Sequence, residues 1–238
     1  MPGDVQLSLV TSVTVSGDNA RNVSPARFGS LSSFIDYTLL RADARAADVE
    51  QLCREAMAAQ FAAVCVNGGW VRLAREQLGD SSVQIVSVVS FPLGAGSTSA
   101  KVAETKIAIE SGADEIDMVM SLGHLIGGDV DYVVNDVTAV VETAGGRVVK
   151  VILETAALDR EGIRAAASAA KRAGASMVKT STGFHPRGGA TIESVTLLRS
   201  VVGDAMGVKA SGGIRDVETA HRMIEAGATR IGTSTLLI

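Results

Sequence analysis

Short apolar runs alternate with longer mixed segments from about residue 35 to the end of the chain. We predict strands from the apolar runs: Ile35–Leu40, Phe61–Val66, Val83–Ser90, Glu115–Ser121, Val148–Leu153, Met177–Thr182, Val208–Ser211 and Arg230–Thr235. We predict helices between them, where apolar residues recur at helical spacing: Ala46–Gln60, Ala100–Ser111, Val130–Thr143, Glu161–Ala173, Ile192–Val201 and Val217–Ala226. Continuously apolar strands that alternate with helices indicate a buried parallel sheet. Eight such units favour a closed (β/α)8 barrel of the TIM type over an open sheet.

The residues at the ends of the predicted helices agree with this assignment. Glycine often ends a helix in the left-handed conformation, and it stands at Gly79, Gly112, Gly145, Gly174, Gly203 and Gly227. Side chains that can accept hydrogen bonds from the first helical N–H groups stand at Ser99, Asp129, Asp159, Thr191 and Asp216. Both kinds of signal place the helix boundaries where the periodicity does.

The two ends of the chain do not follow the repeating pattern. Residues 1–24 are polar and lack strand or helix period, so we expect a flexible leader there. A short helix near Pro25–Ser33 is predicted to cover the bottom of the barrel. Residues 25–238 are then one barrel domain, whose last helix is short, missing or outside this sequence, because Ile238 closely follows the eighth strand.

Composition supports one large core and excludes several classes of function. Of 238 residues, 47% are hydrophobic and only 3% aromatic, which suits small helices packed on buried strands. The net charge of -4 comes without a block of like charge, so we expect no nucleic-acid partner. No run of about 18 apolar residues is present, so we expect no membrane span. Two cysteines and no recognisable signal peptide favour the cytoplasm.

Nothing in the sequence indicates a metal ion or a cofactor. The three histidines, His124, His185 and His221, do not have the spacing of metal ligands. No phosphate-binding P-loop and no dinucleotide-binding glycine motif is present. We therefore expect chemistry that the protein's own side chains carry out.

Four neighbouring strands carry an ionisable residue where barrel strands normally carry Val, Ile or Leu: Asp117, Lys150, Lys179 and Lys209. A buried charge is costly unless it is paired. One interpretation is a structural layer of salt bridges, but three lysines then face one aspartate. Glu115 and Glu154 fall on the same faces as Asp117 and Lys150, so a mixed role stays open. We favour an active site, because clusters of ionisable groups mark such sites.

The lysines point to covalent chemistry with a carbonyl compound. A lysine attacks a carbonyl only as a neutral amine, which a nearby second cation and the loss of water both favour. Lys179 and Lys209 occupy equivalent positions on adjacent strands, so one can attack while the other keeps it uncharged. The resulting iminium ion accepts electrons when a carbon–carbon bond breaks or forms. Asp117 with a lysine can move the protons that this reaction needs.

The loops after strands six, seven and eight are rich in small polar residues, which suits a phosphate group. They contain Gly183, Gly188-Gly189-Ala190-Thr191, Ser211-Gly212-Gly213 and Gly232-Thr233-Ser234-Thr235. Glycine lets backbone N–H groups approach an anion closely, and barrels of this kind often bind phosphate after strands seven and eight. Each loop taken alone is better explained as an ordinary tight turn, but the three consecutive loops together favour a phosphate site.

Several motifs together resemble the deoxyribose-phosphate aldolase family, over about residues 35–237. They are Ile35-Asp36-x-Thr38-Leu39-Leu40, Val64-Cys65-Val66-Asn67, Ser90-Phe91-Pro92-Leu93-Gly94, Glu115-Ile116-Asp117-Met118-Val119, Lys150-Val151-Ile152-Leu153-Glu154-Thr155, Val178-Lys179-Thr180-Ser181-Thr182-Gly183-Phe184 and Val208-Lys209-Ala210-Ser211-Gly212-Gly213-Ile214-Arg215. The resemblance implies reversible cleavage of 2-deoxy-D-ribose 5-phosphate to D-glyceraldehyde 3-phosphate and acetaldehyde, without a metal or cofactor. It also implies a homodimer or homotetramer.

The resemblance also implies a role for each site residue. Lys179 is the Schiff-base lysine, Lys209 the lysine that keeps it uncharged, and Asp117 the proton relay. Lys150 is a further active-site lysine, and Cys65 lines the substrate cavity. The phosphate group would rest on Gly183, Gly212, Gly213, Ser234 and Thr235.

Some residues depart from the family pattern or allow another interpretation. Tyr37 stands where many relatives have histidine, and His185-Pro186-Arg187 enlarges a loop. Cys65 is better explained as a small buried apolar residue than by a chemical role, and Asp36 and Thr38 could orient substrate or only bond a loop. Two other functions stay open: a Schiff-base aldolase for another phosphorylated aldose, and a non-catalytic barrel that binds sugar phosphates.

Overall fold

The computed structural model describes residues 30–235. Its strands are β1 (Ile35–Leu39), β2 (Ala63–Val66), β3 (Gln84–Val89), β4 (Glu115–Val119), β5 (Val148–Ile152), β6 (Met177–Lys179), β7 (Gly207–Ser211) and β8 (Arg230–Thr233). Its α-helices are α1 (Ala46–Ala59), α2 (Val71–Leu78), α3 (Thr98–Glu110), α4 (Leu122–Ile126), α5 (Val130–Thr143), α6 (Arg160–Arg172), α7 (Ile192–Val202) and α8 (Val217–Glu225). Every strand pairs in parallel with the next, and β8 pairs with β1, so the sheet is a closed barrel. The predicted (β/α)8 fold is confirmed.

The differences from the predicted elements lie at their ends and in two short helices. β6 ends at Lys179, because the hydroxyl group of Thr180, and not its backbone, bonds the backbone of Ser211 at the end of β7. Helices α2 and α4 were not predicted, since their 8 and 5 residues are shorter than the window over which helical periodicity is judged. A 3-10 helix at Leu31–Phe34 precedes β1, and no helix follows β8 among the described residues. The leader assigned to residues 1–24 and most of the helix predicted near Pro25–Ser33 lie outside the described part of the chain.

Most of the predicted helix ends are confirmed. Asp129, Asp159, Thr191 and Asp216 each accept a hydrogen bond from an N–H group in the first turn of their helix. Ser99 is wrong as a cap, because α3 starts earlier and Ser97 accepts the bond from Ala100. The glycines predicted to end helices all have positive φ angles.

The strand register divides the interior of the barrel into an apolar and a charged side. On β2 and β3, the inward residues Ala63, Cys65, Val86 and Val88 form a small apolar cluster with Leu40. On the other strands, in-register pairs such as Asp117 with Lys150 and Lys179 with Lys209 place charges inside. The main apolar core lies between the strands and the surrounding helices. No helix among residues 30–235 is long and apolar enough to cross a membrane.

Candidate active site

Asp117, on β4, is the centre of the charged side of the barrel. Its Oδ1 atom lies 2.8 Å from the Nζ atom of Lys150. Its Oδ2 atom lies 2.8 Å from the Nζ atoms of both Lys179 and Lys209. The Nζ atoms of Lys179 and Lys209 are therefore separated by at most twice 2.8 Å. The predicted catalytic residues Lys179, Lys209 and Asp117 are brought together, and Lys150 joins them.

Three further charged residues complete this cluster. Asp36 on β1 contacts Lys209, and Glu115 on β4 lies 2.5 Å from Lys150. Arg230 on β8 bonds Asp36 at 2.6 Å and Glu115 at 3.3 Å. Six side chains thus form a closed circuit of alternating charge, which we call the ion ring: Asp117, Lys150, Glu115, Arg230, Asp36 and Lys209.

The ion ring corrects the charge balance inferred from the sequence. The three lysines do not face one aspartate, because Asp36 and Glu115 supply two more negative charges. Glu154 does not take part, since its carboxylate accepts hydrogen bonds from the backbone and the hydroxyl of Thr182. Arg230 was missed altogether, although its position in register with Lys209 places it on the inner face. A structural layer of salt bridges is therefore present, and Lys179 adjoins it.

Mutual pairing fixes the charge of most groups in the ring. Burial by itself would lower the pKa of Lys209, but Asp117 and Asp36 outweigh it and the pKa is raised. The pKa of Lys150 is raised by the same two carboxylates against burial. Burial would raise the pKa of Asp36, yet Lys209, Lys150 and Arg230 lower it to about 2. At neutral pH these groups are ions.

The pKa of Asp117 is lowered well below its usual value of 3.8, although burial opposes this change. The three lysines around it, Lys150, Lys179 and Lys209, favour the ionised carboxylate more strongly than burial disfavours it. Asp117 is therefore an ionised carboxylate that accepts hydrogen bonds from all three lysines.

A cavity of about 330 Å³ opens above the ion ring at the carboxyl ends of the strands. The predicted residues that line it are Lys179, Gly183, Gly212, Gly213 and Ser234. Of the three lysines that bond Asp117, only Lys179 lines the cavity. Lys150 and Lys209 are fully buried below it. Of the three lysines, Lys179 is therefore the one that a molecule in this cavity could contact.

Close backbone packing explains the glycines around the cavity. A side chain on Gly189 would place its Cβ atom 2.2 Å from the carbonyl oxygen of Gly212. Gly183, Gly212 and Gly213 have φ angles of +84°, +87° and +83°, which other residues rarely adopt. The loops after β6 and β7 therefore depend on glycine for their shape. Around Gly213 a Cβ atom would meet no neighbour within 4 Å, so space is open there.

Three of the predicted binding residues do not line the cavity. Lys150 and Cys65 lie below it on the inner face, and both are fully buried. Burial raises the pKa of the Cys65 thiol, which therefore stays protonated. Thr235 lies at the rim, where its N–H donates to the hydroxyl of Thr233 at 3.0 Å.

No group of three or more His, Cys, Asp and Glu side chains in residues 30–235 is arranged to hold a metal ion. His124 instead bonds Ser121 at 2.9 Å and stacks on the ring of Tyr132. The polar side chains that line the cavity include the amine of Lys179, the guanidinium groups of Arg41 and Arg215, and several hydroxyl groups, while the Asp117 carboxylate lies beneath, 2.8 Å from the Lys179 amine. This set can add a primary amine to a carbonyl group and move protons near it.

The profile of the DeoC/LacD family aldolases matches residues 32–237, which include the whole barrel. The chain belongs to the DeoC/LacD aldolase family. The deoxyribose-phosphate aldolase of Bdellovibrio bacteriovorus is 53% identical to this aldolase over 205 residues, which cover 86% of this chain and 93% of the relative. That of Clostridium botulinum (strain Okra) is 53% identical over 204 residues, covering 86% and 96%.

A solved structure agrees with the fold of this aldolase. The tetrameric deoxyribose phosphate aldolase of Aeropyrum pernix has 36% sequence identity and a TM-score of 0.82. The match covers 89% of this chain and 91% of the other. The predicted resemblance to deoxyribose-phosphate aldolases is thereby confirmed.

Proposed function

We propose that this aldolase reversibly cleaves 2-deoxy-D-ribose 5-phosphate to D-glyceraldehyde 3-phosphate and acetaldehyde, through a Schiff base on Lys179. Two relatives that are each 53% identical to this chain are deoxyribose-phosphate aldolases, which supports this substrate. The observation that carries the mechanism is the position of Lys179, which lines the cavity and lies 2.8 Å from the Asp117 carboxylate. Lys209, whose raised pKa keeps it an ammonium ion, serves as the neighbouring cation.

The reaction begins when the neutral amine of Lys179 adds to the C1 aldehyde of the open-chain sugar and water is lost. The C3 hydroxyl then gives up its proton, the C2–C3 bond breaks, and its electron pair moves toward the positive iminium nitrogen. Glyceraldehyde 3-phosphate leaves, and an enamine of acetaldehyde remains on Lys179. Protonation at C2 and addition of water release acetaldehyde and restore the amine.

Asp117 and Lys209 handle the protons of this cycle. Asp117 is ionised and 2.8 Å from the amine, so it can accept the proton that Lys179 or a nearby water releases. Lys209 shares the same carboxylate oxygen and stabilises its charge before and after that transfer. Lys150 holds the other oxygen and acts through Asp117.

The phosphate group would rest on the glycine loops at the cavity rim. Gly183, Gly212 and Gly213 present backbone at positive φ angles beside Lys179, and Ser234 adds a hydroxyl at the end of β8. Thr235 can contribute its hydroxyl group, since its N–H is already bonded. Such loops bind an anion through backbone N–H groups, and the guanidinium groups of Arg41 and Arg215 line the same cavity.

Trapping with borohydride tests the proposed nucleophile. Reduction in the presence of acetaldehyde should add one ethyl group, and peptide mass spectrometry should place it on Lys179. Lys179→Leu should abolish both trapping and turnover while the circular dichroism spectrum stays unchanged. Normal turnover by this variant, or an ethyl group on another lysine, would refute the assignment.

A coupled assay that follows glyceraldehyde 3-phosphate separates the three functions that the sequence left open. Turnover of 2-deoxyribose 5-phosphate supports the proposal. Trapping with acetaldehyde but faster cleavage of another phosphorylated aldose would favour the related aldolase. Binding of sugar phosphates without trapping or turnover would indicate a non-catalytic barrel.

We further propose that this aldolase works in the cytoplasm as a homodimer or homotetramer. Both cysteines are free thiols, which suits a reducing compartment. The relative from Aeropyrum pernix is tetrameric. Exposed apolar side chains on α3 and α4, such as Ile107 and Ile126, offer surface for a subunit contact. Native mass spectrometry would give the subunit number, and a monomer alone would contradict the proposal.

A further inference from the structure

The ion ring contains equal numbers of positive and negative groups. Asp36, Glu115 and Asp117 each lie between two cations of the ring, and Lys150, Lys209 and Arg230 each lie between two anions. Lys179 is outside the ring and joins it only through Asp117, an anion that two other lysines already share. Among the described residues it is therefore a fourth cation against three anions. The interior is electrically balanced when Lys179 is a neutral amine.

Arg230 supplies one of the positive charges in this balance, and it lies at the end of the barrel opposite the cavity. It is the first residue of β8, whereas the cavity is lined by residues at the ends of the strands, from Gly232 onward on β8. Its guanidinium bonds Oδ1 of Asp36, whose Oδ2 contacts Lys209, and it bonds Glu115, which holds Lys150. Lys209 and Lys150 are thus each paired with a carboxylate that is also bonded to Arg230.

We propose that Arg230 is a positioning residue that closes the ion ring and thereby sets the pH range in which Lys179 reacts as an amine. This inference rests on the proposed Schiff-base function. Without Arg230, three cations including Lys179 would face three anions, and the protonated form of Lys179 would become the balanced one. Without the charge of Glu115, the opposite change would occur.

The other inward groups do not disturb this count. The charged and titratable side chains that face the ring come from every strand except β3: Asp36 (β1), Cys65 (β2), Glu115 and Asp117 (β4), Lys150 (β5), Lys179 (β6), Lys209 (β7) and Arg230 (β8). On β3 the inward side chains are Gln84, Val86 and Val88. Cys65 is a protonated thiol and adds no charge.

The test is the pH dependence of imine trapping with acetaldehyde and cyanoborohydride in three variants of the full chain. Arg230→Met should move the midpoint of trapping upward by about one pH unit, because one positive charge is lost near Lys179. Glu115→Gln should move it downward by a similar amount. The double variant should return close to the wild-type midpoint. Opposite shifts of this kind do not follow from loosened packing.

Two controls make the result specific. Arg230→Lys keeps the charge and should stay near the wild-type midpoint, even if trapping becomes slower. Arg75→Met removes a guanidinium that pairs with Asp114 at 2.6 Å, beside the start of β4 but outside the ring. It should leave the midpoint unchanged. Thermal melting should show that each variant is folded, and if Arg230→Met is not, Glu115→Gln and Arg230→Lys decide the question.

The outcomes separate this inference from the function on which it rests. Absence of trapping at Lys179 in the wild-type chain would overturn the proposed function. Wild-type trapping with equal midpoints in Arg230→Met and Glu115→Gln, or with shifts in the same direction, would overturn the role of Arg230 alone.

Discussion

Lys179 and Lys209 show how position separates two residues of the same type. They are in register on neighbouring strands and bond the same oxygen of Asp117. Lys209 has a second carboxylate, Asp36, and no exposed surface, so it is fixed as an ammonium ion. Lys179 has one carboxylate and lines the cavity. One lysine can therefore react while the other supplies charge.

Removal of Lys209 tests this division at the level of one residue. Lys209→Leu should raise the midpoint pH of imine trapping by about one unit, because a cation close to Lys179 is lost. Peptide mass spectrometry after trapping should still find the label on Lys179. Lys171→Met removes a lysine that bonds the backbone of Val202 on the outside of the barrel, and should not move the midpoint. An unchanged midpoint in Lys209→Leu would remove Lys209 from this role.

Ser234 tests the proposed phosphate site. Ser234→Asp should raise KM for 2-deoxyribose 5-phosphate at least tenfold, while KM for unphosphorylated deoxyribose changes little, because the carboxylate repels only the phosphate. Steady-state kinetics with both sugars measures this difference. Ser82→Asp, which adds the same charge at an exposed position before β3, is the matched control. Equal effects on both sugars would place the phosphate elsewhere.

At the scale of elements, a buried ion pair holds two helices against the strand that carries Asp117. Lys101 on α3 and Asp136 on α5 are both fully buried, and their charged atoms are 2.5 Å apart. The same ammonium group donates to the carbonyl oxygen of Val119 at the end of β4, at 3.0 Å. Three elements therefore meet at this pair, two residues beyond Asp117.

Replacing only Lys101 should destabilise the fold more than replacing both Lys101 and Asp136. Lys101→Met should lower the free energy of unfolding by about 3–5 kcal/mol, because Asp136 is left buried without its cation. The double variant Lys101→Met, Asp136→Leu should recover most of this loss. Urea denaturation of the single and double variants measures both effects. Equal losses in single and double variants would show that the carboxylate does not depend on Lys101.

The elements themselves were largely predictable, and their ends were not. Apolar runs located all eight strands, because a buried parallel strand needs apolar residues on both faces. The predicted strand Met177–Thr182 was too long. Its last three residues are small and uncharged, as in a strand, but the side chain of Thr180 bonds the end of β7. Sequence periodicity does not register such a bond, which depends on the neighbouring strand.

At the scale of the whole molecule, the ion ring makes the free energy of unfolding depend on pH in the acid range. The pKa of Asp36 is about 2 in the folded barrel, and that of Asp117 is lower than its ordinary value of 3.8. A carboxyl group with a lowered folded pKa stabilises the fold above its unfolded pKa, and the contribution disappears as the pH falls through the folded value. For Asp36 the window runs from about pH 4 to pH 2.

We expect the free energy of unfolding to fall steeply in that window, by roughly 2 kcal/mol for Asp36 alone. Urea titrations at intervals from pH 6 to pH 2 give the slope. Asp36→Asn should be less stable at pH 6 but should show a shallower decline below pH 4. Asp204→Asn, on an exposed turn before β7, should keep the wild-type slope. A wild-type slope in Asp36→Asn would contradict the linkage.

The sequence by itself determined the barrel, the family and which residues are the candidates for the chemistry. Alternating apolar strands and helices require a covered parallel sheet, and a cluster of lysines on buried strands points to a candidate active site. Only the tertiary structure decided how the charges combine. Closure of the barrel brings β8 beside β1, so Arg230 bonds Asp36 across 194 positions of sequence. The alternation along a strand tells which face a side chain takes, but the distance to a charge on another strand depends on barrel closure and register.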